Sequence, residues 1–251
     1  MVPKSIISLF AVMFIWELAS YTSDFVPGII PIITTFFVLI TDPTYLYNVS
    51  ISLARLGSGW AIGMILGTLL GILIGVSTQL RLYVLPVISA IFPIPKIALL
   101  PLFLIFFGLG ETSKVITIFI GSFFPSIITA YSAVQRTPTQ LIVLATSFKY
   151  SESDIVRKII IPYSLPTIIQ GFRTSTSMAL TLLVAAEMLG AQVGLGYWIF
   201  NAGSTMDFAE MLAGIITLSI IGLTIAYCID LLLKKFCYWS LESEGKGRQT
   251  G

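Results

Sequence analysis

The sequence lacks histidine and contains few charged residues. Charged side chains make up 10% of the 251 residues and hydrophobic ones 56%, and the mean hydropathy is +0.96. A soluble domain carries about 25% charged residues, so this chain cannot cover a water-exposed surface. The composition therefore indicates a polytopic membrane protein. The absence of histidine excludes histidine acid–base chemistry and histidine metal sites.

The cysteines, the net charge and the search for phosphate-binding motifs give no sign of a catalytic site. The spacing of Cys228 and Cys237 fits neither a zinc site nor a redox motif. A net charge of +2 is too small to indicate nucleic acid as a partner. The sequence contains no GxxxxGKS or GxxxxGKT loop, so we expect no nucleotide, cofactor or metal in this chain.

Apolar segments predict six transmembrane helices, because one span needs about 20 apolar residues. The predicted spans are Ser5–Tyr21, Leu53–Val76, Val84–Gly108, Thr112–Val134, Leu165–Leu189 and Phe208–Leu233. Prolines within the third span predict a kink or an interruption. Glycines four residues apart from Gly63 to Gly75 predict a smooth face for a close helix. We interpret the Pro-broken segment Phe25–Ile40 as interfacial or as a loop.

The distribution of basic residues predicts the orientation. Arg136, Lys149, Lys158 and other basic residues fall on one side if both termini are cytoplasmic, and the opposite loops are mostly acidic. We therefore predict both termini in the cytoplasm. The predicted organisation is an N-terminal helix with a periplasmic or interfacial segment over residues 1–50, a core over 51–235 and a polar cytoplasmic tail over 236–251.

The segment Gln135–Tyr163 is the one sizeable polar stretch between predicted spans. Thr137 is expected to cap a first helix that runs to Phe148, with Pro138 at its first position. Its predicted apolar face consists of Leu141, Leu144, Ala145 and Phe148. Since this face needs a cover, it packs either on the chain's own spans or on a partner.

A second helix is predicted after a break in this segment. Lys149 and Tyr150 form the break, and Ser151 caps the new helix with Asp154 at its third position. The helix is expected to run to Pro162, where the chain meets the membrane. The polar segment is therefore predicted to be a helix–turn–helix on the cytoplasmic face.

The segment resembles the EAA loop of binding-protein-dependent ABC importer permeases. Ala145 and the pair Ile161-Pro162 match the family pattern, whereas the family's glutamate falls on Val143 and its glycine on Lys149. Further motifs, in order and spacing, are similar to the sulfonate, taurine, nitrate and bicarbonate branch of these permeases. These motifs are Pro95–Leu102, Phe107–Lys114, Gly121–Pro125, Ala185–Ala191 and Gly194–Tyr197.

The resemblance implies an all-α, polytopic type I ABC importer transmembrane domain, with about six transmembrane helices and a cytoplasmic coupling helix. It implies a non-catalytic permease subunit of the inner (plasma) membrane, which forms the path for a small anion or polar solute. The implied partners are ABC ATPase subunits that hold ATP and magnesium, an extracytoplasmic substrate-binding protein, a second permease copy and membrane lipid. The residues implied in coupling to the ATPase are Ala145, Phe148, Lys149, Tyr150, Asp154 and Pro162.

Ionisable residues inside spans need a partner or water. Glu17, Arg55 and Asp230 lie near span ends, where we expect them to reach the interface. A stripe with Arg173, Ser177 and Glu187 on the fifth span, flanked by Thr181, faces either the path or another helix. The residues predicted for the translocation path or its gate are Lys96, Arg173, Ser177, Thr181 and Glu187.

Two other functions are open to a chain of this composition. A secondary transporter working alone would need no ATPase partner, and co-purification with an ATPase would reject it. An intramembrane enzyme would need a nucleophile–base set or a metal set at membrane depth, and the sequence offers no such set.

Overall fold

The computed structural model describes residues 4–22 and 25–239. Within these residues the chain forms α-helices joined by short turns and contains no strand. The helices are α1 (Lys4–Thr22), α2 (Ile29–Leu39), α3 (Pro43–Val76), α4 (Thr78–Ile91), α5 (Leu100–Phe107), α6 (Glu111–Gln135), α7 (Thr139–Ser147), α8 (Glu152–Ile155), α9 (Ile161–Gly190), α10 (Leu195–Ser204) and α11 (Phe208–Phe236).

The chain divides into two compact units. Their bounds are Met1–Ala54 with Val184–Ile221 for the first unit, and Arg55–Leu183 with Gly222–Gly251 for the second. The core of the first unit is formed by Leu39, Tyr45, Leu195 and Ala213. One core cluster of the second unit is formed by Ile74, Ile88 and Ile127.

The membrane spans follow the predicted order. Helices α3, α6 and α11 are each long and apolar enough to cross a bilayer. Two bent helix pairs also qualify when each is counted as one span: α4 with Lys96–Phe107, and Glu152–Gly190 with α10. The described residues thus supply three to five candidate spans by length and composition, compared with the six that were predicted. The predicted first span, Ser5–Tyr21, coincides with α1.

The predicted interruption of the third span is confirmed. Helix α4 ends at Ile91, a 3₁₀ turn covers Lys96–Leu99, and the two parts are bent by 85°. Pro93 and Pro95 lie in the gap. Because proline lacks an N–H group and clashes with the preceding turn, neither residue allows the helix to continue.

The glycine face of α3 packs against α6, as the four-residue repeat predicted. A Cβ at Gly71 would lie 2.5 Å from the Ile127 carbonyl oxygen and 2.8 Å from Ala130 Cβ. Gly63, Gly67 and Gly75 likewise face α6 atoms that a methyl group would displace. By contrast, Gly57 on the same helix faces open space.

The segment Phe25–Ile40, for which a loop was one of two expectations, contains helix α2. Pro31 is compatible with this helix because it occupies the third position, where the backbone N–H has no partner inside the helix. The side chain of Glu17 binds the start of α2: its Oε2 accepts a hydrogen bond of 2.9 Å from Ile29 N. Glu17 was expected to reach the membrane interface, and the structure shows that it also has a hydrogen-bond partner within the chain.

Candidate functional site

The polar segment after α6 forms the predicted helix–turn–helix, with a left-handed residue at the turn. Lys149 has a φ of 61°. Its N–H donates to the Thr146 carbonyl at 2.9 Å, and Tyr150 N–H donates to the Ala145 carbonyl at 3.1 Å. These two bonds define a Schellman motif, which usually places glycine at the position of Lys149.

The caps of the two helices differ from each other in how well they were predicted. Thr137 was wrongly expected to cap the first helix: α7 begins two residues later, at Thr139, with the extended Pro138 before it. Thr137 Oγ1 is buried and has no hydrogen-bond partner among the described residues. The predicted cap of the second helix is confirmed, because Ser151 Oγ accepts from Asp154 N at 3.2 Å.

An apolar groove of about 500 Å³ lies along this segment. All four residues of the predicted apolar face line it, namely Leu141, Leu144, Ala145 and Phe148. Phe148 is 71% exposed, whereas Ala145 is buried against Val134, Ile155 and Ile160. Ala145 thus anchors α7 to the chain, and Phe148 presents an uncovered aromatic ring.

Polar contacts connect the turn with the second helix. Asp154 forms an ion pair of 2.8 Å with Lys158, and the Lys158 ammonium lies 5.2 Å from the centre of the Tyr150 ring. The next residues form one π-helical turn, Val156–Ile160. Pro162 accounts for this turn, since it cannot donate to the carbonyl four residues earlier.

Glu187 is fully buried in a polar network within the first unit. Ser52 Oγ lies 2.7 and 2.8 Å from the two carboxylate oxygens and donates its proton to the carboxylate. Gly196 N donates to Oε2 at 2.8 Å, and Leu195 N donates to Ser52 Oγ at 2.7 Å. The carboxylate therefore holds the start of α10.

Gly194 lets the chain turn closely around this carboxylate. Its φ is 127°, a conformation that side-chain-bearing residues rarely adopt. A Cβ at this position would lie 2.5 Å from the Glu187 carboxyl carbon. Gly194 N also donates to Asn48 Oδ1 at 2.6 Å. Asn48 and Ser52 are one turn apart on α3, and sequence inspection did not select either of them.

Arg173 forms an ion pair with Asp230 within the second unit. The two side chains are partly exposed, as are Ser177 and Thr181 on the same helix. Ser177 Oγ donates to Arg173 O at 3.1 Å, and Thr181 Oγ1 donates to Ser177 O at 2.9 Å. The predicted stripe therefore has two different environments. Its part near Arg173, with Ser177 and Thr181, is exposed, whereas Glu187 is fully buried. Asp230, which was expected only to reach the interface near a span end, is thus paired with a side chain of the same protein.

Arg55 is buried, with 3% exposure, and binds Glu111 in a bidentate pair. Its Nε and Nη2 donate to the two carboxylate oxygens at 2.6 Å each. Lys114 Nζ lies 3.5 Å from the same carboxylate. Sequence inspection placed Glu111 and Lys114 in the motif Phe107–Lys114 but did not pair them with Arg55, because contacts between residues 56 positions apart leave no periodic signal.

Lys96 lies at the interruption of the third span. Its ammonium donates to the Phe92 carbonyl, in the segment that the prolines interrupt. It lies 4.8 Å from the centre of the Phe92 ring. Lys96 and Thr181 line one cavity. The structure therefore brings together two of the five residues predicted for the path.

These features define a polytopic helical membrane protein with an interrupted span and a protruding helical loop. The chain belongs to the family of binding-protein-dependent transport system inner membrane components, whose model matches residues 63–236. It is a transport permease of the ABC importer type, as the sequence motifs predicted.

Two curated relatives are similar over most of their length. SsuC of Bacillus subtilis (strain 168), whose name assigns it to aliphatic sulfonates transport as a permease protein, is 31% identical over 245 residues, covering 98% of this chain and 88% of SsuC. The taurine transport system permease protein TauC of Escherichia coli (strain K12) is 31% identical over 198 residues, covering 79% of this chain and 72% of TauC.

A solved structure shares the fold. A chain of the MetNI methionine ABC transporter in an inward-facing form aligns with a TM-score of 0.65 and 22% identity, over 76% of this chain and 95% of that chain. The predicted all-α fold of a type I ABC importer transmembrane domain is thereby confirmed.

Proposed function

We propose that this chain forms the translocation path of an ATP-driven importer for a small organic anion. Two copies would enclose the path, both termini would be cytoplasmic, and an extracytoplasmic binding protein would deliver the substrate. ATP and magnesium would bind to separate ATPase subunits, since the sequence contains no phosphate-binding loop. The names of the relatives, which refer to aliphatic sulfonates and taurine, support an organic anion.

The observation that carries the proposal is the exposed aromatic side chain at the tip of the helix–turn–helix. Phe148 is 71% exposed beside the groove that Leu141 and Leu144 also line. Among the described residues nothing covers the Phe148 ring. A groove on an ATPase subunit that accepted Phe148 would remove this apolar surface from water and couple nucleotide binding to the loop.

The Phe148→Asp variant tests this proposal. A carboxylate buried in the partner's groove without a counter-charge costs about 3 kcal/mol or more. We expect the variant to insert normally into membranes and to lose co-purification with the ATPase subunit encoded beside it. Gln140→Asp is the matched control, because it adds a carboxylate to the exposed first turn of the same helix, where the helix dipole favours it.

The pure permease is expected to hydrolyse no ATP, and hydrolysis should appear when the ATPase subunit is added. Transport by the permease alone in liposomes would instead support the stand-alone secondary transporter. Normal ATPase association of Phe148→Asp would show that the loop packs elsewhere.

A further inference from the structure

A cavity of about 280 Å³ opens at the interruption between α4 and α5. The interruption, α6 and α9 all contribute to its wall. Its apolar lining includes Pro93, Pro95, Pro125 and Met178. Lys96 and Thr181 add an ammonium group and a hydroxyl group to this wall. The cavity thus combines one cation with a largely apolar surface.

The charge of Lys96 lacks a carboxylate partner among the described residues. Its ammonium donates to the Phe92 carbonyl and lies 4.8 and 5.6 Å from the ring centres of Phe92 and Phe124. No acidic residue lines the cavity within the described part of the chain. An ammonium group at membrane depth is unfavourable without a counter-charge, and an anion in the cavity would supply that charge.

We propose that this cavity binds a small organic anion, with its charged head at Lys96 and its apolar part against Pro93, Pro95 and Met178. The Thr181 hydroxyl, which now donates to Ser177 O at 2.9 Å, turns toward the head group when the anion is bound. The inference rests on the proposed transport function and adds to it a binding site within the membrane.

The apolar wall selects against an inorganic anion. All oxygens of nitrate need hydrogen-bond donors or water, whereas Lys96 and Thr181 are the two side-chain donors among the described residues that line this cavity. Nitrate would therefore leave oxygen atoms unsatisfied against proline and methionine, which is unfavourable. An alkyl sulfonate places its oxygens at the donors and its carbons against the apolar wall.

Charge-selective labelling tests the site without transport or an ATPase. Thr181→Cys is introduced into the full chain with Cys228→Ser and Cys237→Ala, and the purified protein in neutral phosphatidylcholine nanodiscs reacts with an anionic sulfonatoethyl or a cationic trimethylammonioethyl methanethiosulfonate. We expect the ratio of anionic to cationic labelling rates to fall about tenfold when Lys96→Gln is added. Lys96→Arg, which keeps the charge, should retain the ratio.

Ser147→Cys on the exposed surface of α7 provides the matched control. Its ratio should be the same with Lys96 and with Lys96→Gln, and an equal change at both positions would overturn the proposal. A Thr181→Cys ratio that is insensitive to Lys96→Gln would also overturn it. Because these rates need no ATP, they distinguish failure of the site from failure of the proposed transport function.

Competition identifies the ligand class. Butanesulfonate should slow labelling of Thr181→Cys more than nitrate at equal concentration, and the difference should vanish in Lys96→Gln. Equal or better protection by nitrate would contradict the organic-anion site. Protection by added phosphatidylglycerol, with no effect of butanesulfonate, would assign the cavity to a lipid head group and overturn the proposal.

Discussion

Ser52 Oγ lies 2.7 and 2.8 Å from the carboxylate oxygens of Glu187, which is fully buried. The same hydroxyl oxygen accepts a hydrogen bond from Leu195 N, and Glu187 Oε2 accepts one from Gly196 N. A carboxylate supplies only acceptors, so it satisfies converging donors that a neutral amide would partly repel. The start of α10 depends on these acceptors.

Replacement of Glu187 by glutamine should weaken the coupling between binding-protein docking and ATP hydrolysis. The amide keeps one acceptor and places an N–H₂ group against one of the present donors. A hydrogen bond to a charged group is worth about 1.5–3 kcal/mol, so we expect stimulation of ATPase activity by liganded binding protein to fall about tenfold. Expression and ATPase assembly should be normal. The measurement is ATPase activity in liposomes with and without binding protein.

Ser52→Ala should reproduce a smaller part of this effect, since it removes one donor to the same carboxylate. Ser50→Ala is its matched control, because Ser50 is exposed on the same helix and donates to Tyr47 O. If Glu187→Gln keeps full stimulation and transport, Glu187 has a structural role only.

Glycine at position 149 should stabilise the helix–turn–helix. Lys149 holds a φ of 61°, and a residue with a Cβ pays about 1 kcal/mol for the left-handed conformation. Lys149→Gly should therefore raise the free energy of unfolding by up to about 1 kcal/mol. Thermal unfolding of the purified permease measures the change.

Met206 offers an independent check, since it has a φ of 63° in an equivalent Schellman motif after α10. Met206→Gly should stabilise by a similar amount. A lower unfolding temperature for both glycine variants would show that the left-handed residue is not the source of strain.

A side chain at Gly71 should separate α3 from α6. Its Cβ would lie 2.5 Å from a backbone oxygen, which cannot rotate away. Gly71→Leu should therefore destabilise the protein by about 3 kcal/mol or more and reduce the yield of monodisperse permease. Gly57→Ala adds a methyl group in open space on the same helix and should be neutral or slightly stabilising. Similar yields for both variants would contradict close packing.

Exchanging the two charges of the Arg173–Asp230 ion pair should preserve the ion pair. Arg173→Leu leaves the Asp230 charge without its partner, and because the pair is partly exposed we expect a loss of about 1 kcal/mol or less of stability. The double variant Arg173→Asp with Asp230→Arg should recover most of this loss, whereas either single charge change should not. Thermal midpoints of the wild type, Arg173→Asp, Asp230→Arg and the double variant form a double-mutant cycle, which gives the coupling free energy of the pair. A coupling near zero would mean that solvent or lipid head groups satisfy both charges.

The local features of this chain could be predicted from sequence because each depends on neighbouring residues. Pro93 and Pro95 remove two backbone donors within one turn of the predicted span, and the spacing of Gly63 to Gly75 requires only helical periodicity. Ser151 was recognised as a cap for the same reason. The Thr137 prediction failed because Pro138 is equally compatible with the extended residue before a helix, which shifted the start of α7 by one position, from Pro138 to Thr139.

The partners of the buried charges could not be predicted. Arg55 and Glu111 are separated by 56 positions, and Ser52 and Glu187 by 135. Hydropathy identifies such residues as expensive in a membrane, but it does not identify the helix that will face them. Their pairing depends on the packing of whole helices.

The seam between α3 and α6 also bears on how the chain changes shape. Glycine has no rotamers, so the close contacts that Gly63, Gly67, Gly71 and Gly75 make with α6 cannot repack into a second side-chain arrangement. Two-state movements in proteins need elements with alternative packings. We therefore expect α3 residues 59–75 and α6 to move together as one body. Within the second unit we therefore expect bending at turns such as the proline-interrupted one around Lys96, where the two helical parts already meet at 85°.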